Sequence, residues 1–159
     1  MTDPLFIDQA MLARLGAEAL QAPRLRKNRN FHTDNADPCH RLINALAPGT
    51  YVQPHCHLDA SKAESIIALA GRIGVLYFDA AGRIGHSCVI EPGGDVVGVN
   101  IPAGVFHSVV ALSDGCVFFE SKAGPYQALG SGEKAHWAPA EGEASVGEYL
   151  QSMLAHFAG

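Results

Sequence analysis

The residues of this chain with the type and spacing to do chemistry are two histidines set one residue apart, a glutamate and a third histidine. His55 and His57 lie in "GTYVQPHCHLDASKAESIIALAG", residues 49–71, with Glu64 seven positions after His57, and His107 lies in "IPAGVFHSVV". If the first segment is a strand, alternation puts His55 and His57 on one face and Cys56 on the other. The stretch "LDASKA" then turns the chain so that an adjacent strand returns Glu64 to the same face. Pro102 and Gly104 form a tight turn ahead of His107, which opens a β-rich run. Neutral imidazoles and one carboxylate make a mixed nitrogen and oxygen set suited to one divalent ion of iron, manganese, nickel, cobalt or zinc. Four protein donors leave one or two positions free on a five- or six-coordinate ion. The bland reading of the same residues is a set of hydrogen-bonded polar groups on a strand surface.

Further candidates surround this set. Tyr51 and Gln53 have the parity of His55 and His57, which makes them candidate substrate contacts, and Glu120, on the face of Phe118, is a candidate base near the ion. His32 in "NFH" is a candidate substrate contact or a structural hydrogen-bonding group. Arg24, Arg26, Lys27 and Arg29 form the basic cluster, which either holds an anionic ligand through its arginines or is a solvated face. No residue is assigned a catalytic role.

The elements that must position these side chains are short strands. Leu5, Met11, Leu12, Leu15, Ala19 and Leu20 recur at helical spacing over residues 4–21, with Asp8 early and Pro23 as a stop. A polar arm over 24–40 leads into "RLINALAPGTYV". The runs "IGVLYF", "IGHSCVI", "VVGVNI", "VFHSVVAL" and "CVFFESK" are separated by "DAAGR", "EPGGD", "PAG" and "SDG", the pattern of a β-sandwich or barrel. After a Gly-, Ala- and Pro-rich segment, Val146, Tyr149, Leu150, Met153, Leu154 and Phe157 fall on one face of a closing helix. The expected organisation is one structural domain: helix and arm over 1–40, barrel over 41–126, loop and helix over 127–159. The arm is expected to complete a sheet or to cross to a second subunit.

Composition narrows the function classes. The chain has 159 residues, 48% of them hydrophobic, and a formal charge of −5, which argues against a nucleic-acid surface built on clustered Lys and Arg. No apolar run approaches the roughly 18 residues of a membrane span, and the first residues lack a basic start followed by an apolar block. A soluble, cytoplasmic protein with no membrane partner is expected. Cys39, Cys56, Cys88 and Cys116 form no CxxC pair and read as reduced thiols.

The residues Gly49, His55, His57, Glu64 and Gly71 resemble the first motif of the cupins, and Pro102, Gly104 and His107 resemble the core of the second. Six residues separate His57 from Glu64, where three or four are usual, and Val96 and Ala111 stand where the second motif carries glycine and asparagine. "RKNRNFH", "RLINALAPGTYVQPHCH", "KAESIIALAGRIGVLYFDAAGRI", "IPAGVFHSVVAL", "FFESKAGPY" and "WAPAEG" narrow the likeness to the WbuC-type cupin metalloproteins, over most of the chain. The resemblance implies an all-β cupin double-stranded β-helix, or jelly roll, with flanking helices, a bound metal, a homodimer and a link to bacterial surface-polysaccharide biosynthesis. It leaves three functions open: a metal-dependent enzyme, of isomerase, epimerase or dioxygenase type, acting on a small polar or sugar-derived molecule that is anionic or polyhydroxylated; a non-catalytic binding or sensing module; and a structural metal site.

Overall fold

A computed structural model describes residues 4–158. The elements follow as α1 (Gln9–Gln21), β1 (Arg26–Asn30), β2 (Cys39–Leu46), β3 (Glu64–Ala70), β4 (Ile73–Phe78), β5 (Ile84–Ile90), β6 (Gly98–Ile101), β7 (Phe106–Ala111), β8 (Cys116–Ala123) and α2 (Val146–Ala155). The strands pair antiparallel into a five-stranded sheet of order β1-β2-β8-β3-β6 and a three-stranded sheet of order β5-β4-β7.

Alternation along the strands sorts the apolar residues into three layers. Leu46, Ile66, Ala68, Cys116 and Phe118 of the larger sheet meet Ile73, Val75, Val109 and Ala111 of the smaller one and fill the barrel. On the outer face of the larger sheet, Ile43, Ala45 and Val117 are covered by Met11, Leu12, Leu15 and Ala19 of α1. On the outer face of the smaller sheet, Leu76, Phe78 and Val110 are covered by Leu150 and Met153 of α2, with Val146, Tyr149, Leu154 and Phe157 packed around them. The helical face expected at the C-terminus is therefore the one that is buried.

Two expectations are corrected. The first helix begins at Gln9 rather than residue 4, because the Asp8 side chain accepts a hydrogen bond from the Met11 amide at 2.8 Å and caps it there. Leu5, Phe6 and Ile7 precede that cap and are exposed. The segment carrying His55 and His57 is not a regular strand: residues 51–63 contain only isolated bridges, from His55 to His107 and to Lys134. The arm does complete a sheet, since β1 pairs with β2 from Arg26↔Leu46 to Asn30↔Leu42. The four cysteines are free, with Cys56 and Cys116 buried and Cys39 exposed.

Gly71, between β3 and β4, has φ +70°, and a Cβ there would lie 2.9 Å from Cys116 Cα. Only glycine fits both the left-handed backbone and that contact, which lets β3 turn tightly against the start of β8.

Candidate metal centre

Glu64 opens β3 and His107 is the second residue of β7, so each enters the barrel interior on a strand whose register is fixed by its neighbours. His55 joins them through a reciprocal backbone pair: its amide donates to the His107 carbonyl at 3.1 Å, and the His107 amide returns a bond to the His55 carbonyl at 2.9 Å. His57 is tied by its carbonyl, which accepts from the Gly104 amide at 2.7 Å. Gly104 has φ +79°, so the turn before His107 also anchors the histidine segment.

The side chains converge. Ligand atoms of His55, His57 and Glu64 lie within 4.8 Å of one another. His107 Nε2 is 2.5 Å from Glu64 Oε1 and His57 Nε2 is 3.7 Å from Glu64 Oε2, while the rings of His55 and His107 are 4.6 Å apart. Hydrogen bonds on the far side of two rings determine what their near nitrogens can offer. His55 Nδ1 lies 3.0 Å from the Gln53 carbonyl and His107 Nδ1 lies 2.9 Å from the Val105 carbonyl. A carbonyl oxygen only accepts, so both Nδ1 atoms donate, and in the neutral rings both Nε2 atoms present lone pairs inward. A proton shared between the two atoms, or a metal ion bound by both, relieves the repulsion between the His107 lone pair and the carboxylate. His57 Nε2 is buried with no hydrogen-bond partner, a cost that metal ligation removes. The residues present therefore fit a divalent ion.

Electrostatics point the same way. Burial, reinforced by His107, lowers the His55 pKa to about 3, so the ring is neutral and available as a ligand. Burial opposes the charged form of Glu64, but His107, His57 and Lys122 outweigh it and hold the carboxyl well below its usual range. Lys122 lies 3.5 Å from Glu64 and 2.7 Å from Glu120, and the other Glu120 oxygen accepts from the Asn44 amide at 2.8 Å. Burial, with Glu64 nearby, raises the Glu120 pKa against the pull of Lys122. Burial alone would lower Lys122, but the two carboxylates raise it.

A cavity of about 220 Å³ opens from this cluster; His55, Glu64, His107, Glu120, Lys122, Asn44 and Ser108 supply its polar wall, and Leu46, Val52, Ile66, Val109 and Phe118 its apolar wall. Arg24, Arg26, Lys27 and Asn28 also line it. It lies below the ~300–1,000 Å³ of drug-sized sites, which limits the size of any molecule it could admit.

The other sequence candidates separate. Glu120 is in the cavity wall, as its shared face with Phe118 implies. Tyr51 is packed with Leu76, Phe78 and α2, and its hydroxyl donates to the Pro139 carbonyl at 2.8 Å. Burial raises the pKa of that phenol. Gln53 donates to the Ala135 carbonyl at 3.2 Å and lines a neighbouring cavity. The alternation expected between Tyr51 and His55 fails at Pro54: Val52 packs into the barrel although it has the opposite parity to His55. His32 stacks on His40 at 4.1 Å, with its Nδ1 on the backbone of Arg41, away from the cavity. Arg29 lines the groove against α1 with Met11, Arg14, Leu15 and Glu18 and is not part of the cavity wall. Sequence reading missed Lys122 and Asn44. Lys122 sits two positions from Glu120, and period two along β8 would have found it.

Two antiparallel sheets around a cavity with a histidine and carboxylate cluster define the cupin β-barrel class. The chain belongs to the family described as Domain of unknown function (DUF6016), whose model matches residues 7–90, a span that holds His55, His57 and Glu64 but ends before His107. No curated protein matches the chain by sequence. Among solved structures, KdgF from Halomonas sp. is 15% identical with a TM-score of 0.51, covering 67% of this chain and 84% of that one. A conserved Streptococcus pyogenes protein of unknown function is 11% identical with a TM-score of 0.53, covering 80% and 93%. A cupin-superfamily protein from Desulfitobacterium hafniense DCB-2 is 11% identical with a TM-score of 0.48, covering 62% and 76%. Among the described residues no helix is long and apolar enough to cross a membrane.

Proposed function

We propose that the chain is a metal-dependent cupin enzyme acting on a small anionic or polyhydroxylated metabolite, with His55, His57, Glu64 and His107 as ligands of one divalent ion of iron, manganese, nickel, cobalt or zinc. The observation that carries this reading is the orientation of the histidines: two Nδ1 atoms are committed to backbone carbonyls, and the Nε2 lone pairs face one buried carboxylate. When bound, the ion would polarise a substrate oxygen as a Lewis acid. Around it, Glu120 would hold or accept a proton, with Asn44 and Lys122 fixing its two oxygens, and the apolar wall of Leu46, Val52 and Phe118 would limit water at the reacting atoms. A binding or sensing module would share the ligand set but would tolerate Glu120→Gln without loss of its output.

The WbuC-type affinity and the link to surface-polysaccharide biosynthesis rest on the sequence motifs. A cytoplasmic location is supported by the four free thiols, and a homodimer by the exposed Leu5, Phe6 and Ile7. The test is elemental analysis of protein from its native host, followed by a metabolite screen against metal-loaded and metal-free protein. The expected result is one equivalent of metal, lost in a His55→Ala/His107→Ala double variant, and turnover that Glu120→Gln abolishes. Stoichiometric metal in the double variant would overturn the ligand set.

A further inference from the structure

At the solvent edge of the cavity two arginines converge on one carboxylate from a distant part of the chain. Arg24 donates through Nε to Glu141 Oε2 at 2.7 Å and through Nη2 to Glu141 Oε1 at 2.6 Å. Arg26 adds a bond from Nη2 to Oε1. Its other terminal nitrogen donates to the Tyr51 carbonyl at 2.8 Å, and its side chain is only 19% exposed, so this guanidinium is fixed in place whatever occupies its free edge. Between the two arginines Leu25 has φ +52°, a left-handed conformation that a branched side chain adopts at a cost. That backbone is held by hydrogen bonds from the Leu25 amide to Ala22 and from the Ala47 amide to the Leu25 carbonyl.

We propose that Arg24 and Arg26 form a carboxylate-binding subsite at the entrance to the cavity, and that Glu141 is its intramolecular occupant, displaced when a ligand carboxylate enters. Three observations support displacement over a permanent structural pair. Arg24, Arg26, Val52 and His55 line both the cavity at the histidine cluster and the adjoining one, whereas Glu141 lines only the adjoining one with Lys134. Both arginines therefore border the ligand space as well as holding the glutamate. The Arg24 and Glu141 side chains are 63% and 34% exposed, and an ion pair at such exposure adds little to stability, while the more buried Arg26 keeps its bond to the Tyr51 carbonyl when one carboxylate replaces another. Finally, Glu141 sits in a non-helical turn, closed by the Glu143 amide on the Ala140 carbonyl, outside the packing of Trp137 on Phe78 and Phe106. The occupant now in the fork is a carboxylate held through both oxygens, and a ligand carboxylate reproduces those contacts. This deepens the small-anion reading of the same cavity, and it rests on that reading for the identity of the ligand space.

The test is calorimetric titration of succinate, and separately of inorganic phosphate, into the full chain in metal-free and metal-loaded form. Glu141→Gln should bind succinate at least about fivefold more tightly than the unmodified chain in both forms, because the internal competitor is gone. Arg26→Lys, which keeps charge but loses the fork, and Arg24→Gln should each remove that gain when combined with Glu141→Gln. Melting curves and the emission of the single tryptophan, Trp137, verify that each variant is folded. Unchanged succinate affinity in Glu141→Gln, or a gain that survives both arginine replacements, would overturn the proposal; a gain for phosphate as large as for succinate would overturn the carboxylate assignment. The gain in metal-free protein is independent of metal content, so a failure of the metal-enzyme reading leaves this result interpretable.

Discussion

The cluster has two halves that are held in different ways. Glu64 and His107 sit on β3 and β7, inside continuous ladders, and their positions follow from strand register. His55 and His57 sit on an irregular segment pinned at separate points: His55 to His107, Cys56 to the Glu133 carbonyl at 2.8 Å, His57 to Gly104, and Pro54 to the Ala135 amide at 2.9 Å. The Glu133 carboxylate also accepts from the Leu58 amide at 2.9 Å and the Gly130 amide at 2.8 Å. One half is organised by the barrel, and the other is a clamp held by the segment around residues 130–135 and by the turn at Gly104. The carboxylate that would receive an ion is thus held by the sheet, and the two histidines that would complete the site are held by the clamp.

That contrast is most strongly tested by removing the ion. Chelation should lower the melting temperature by about 5–10 °C, as expected for a ligand present at roughly 100 times its dissociation constant or more. Loss of amide exchange protection should be concentrated at His55, Cys56, Gly104 and Ala135, with β3 and β8 little changed. Equal loss in both halves would break the distinction.

Acid should act through the clamp half as well. The folded His55 has a pKa of about 3, below the unfolded value of about 6.5. Below pH 6.5 the unfolded chain therefore binds a proton that the folded chain refuses, and stability falls as pH is lowered from 6.5 towards 3. Glu64, also depressed, acts in the same direction at lower pH. The metal-free protein should melt several degrees lower at pH 4.5 than at pH 7, and His55→Gln should flatten that dependence. A melting temperature that is level or rises on acidification would refute this account.

The smallest effect expected is from Glu133→Ala, which leaves every metal ligand in place but frees the Leu58 and Gly130 amides. Metal affinity should drop by about tenfold, at the lower end for residues that orient ligands, while the melting temperature of the metal-free barrel moves by no more than a degree or two. A larger effect on the metal-free barrel than on metal affinity would place Glu133 with the fold rather than the clamp.

The residues show how far the sequence could be read. Strands were legible where β-rich runs stood between glycine-bearing turns, as in "IGVLYF" and "CVFFESK", and the histidine and carboxylate cluster was legible because donor type and glycine-bounded spacing survive without any knowledge of contacts. Parity failed where the backbone was irregular: Pro54 breaks the alternation between Tyr51 and His55, so two expected cavity residues lie elsewhere. His32 failed for a different reason, since its stacking on His40 is a tertiary contact that no local pattern encodes. Glu141 was illegible because its partners lie more than a hundred residues away.

One consequence follows from β8, the middle strand of the larger sheet. Phe118, Glu120 and Lys122 line the cavity, while Val117 and Phe119 lie under α1. A single thickness of polypeptide thus separates the helix from the cavity, and Met11, Leu12 and Leu15 bear on its reverse side. Enlarging or shrinking those α1 residues would tilt the Glu120–Lys122 pair without touching the cavity, so sequence drift in a helix far from any ligand is a means by which relatives of this chain could retune the same histidine cluster.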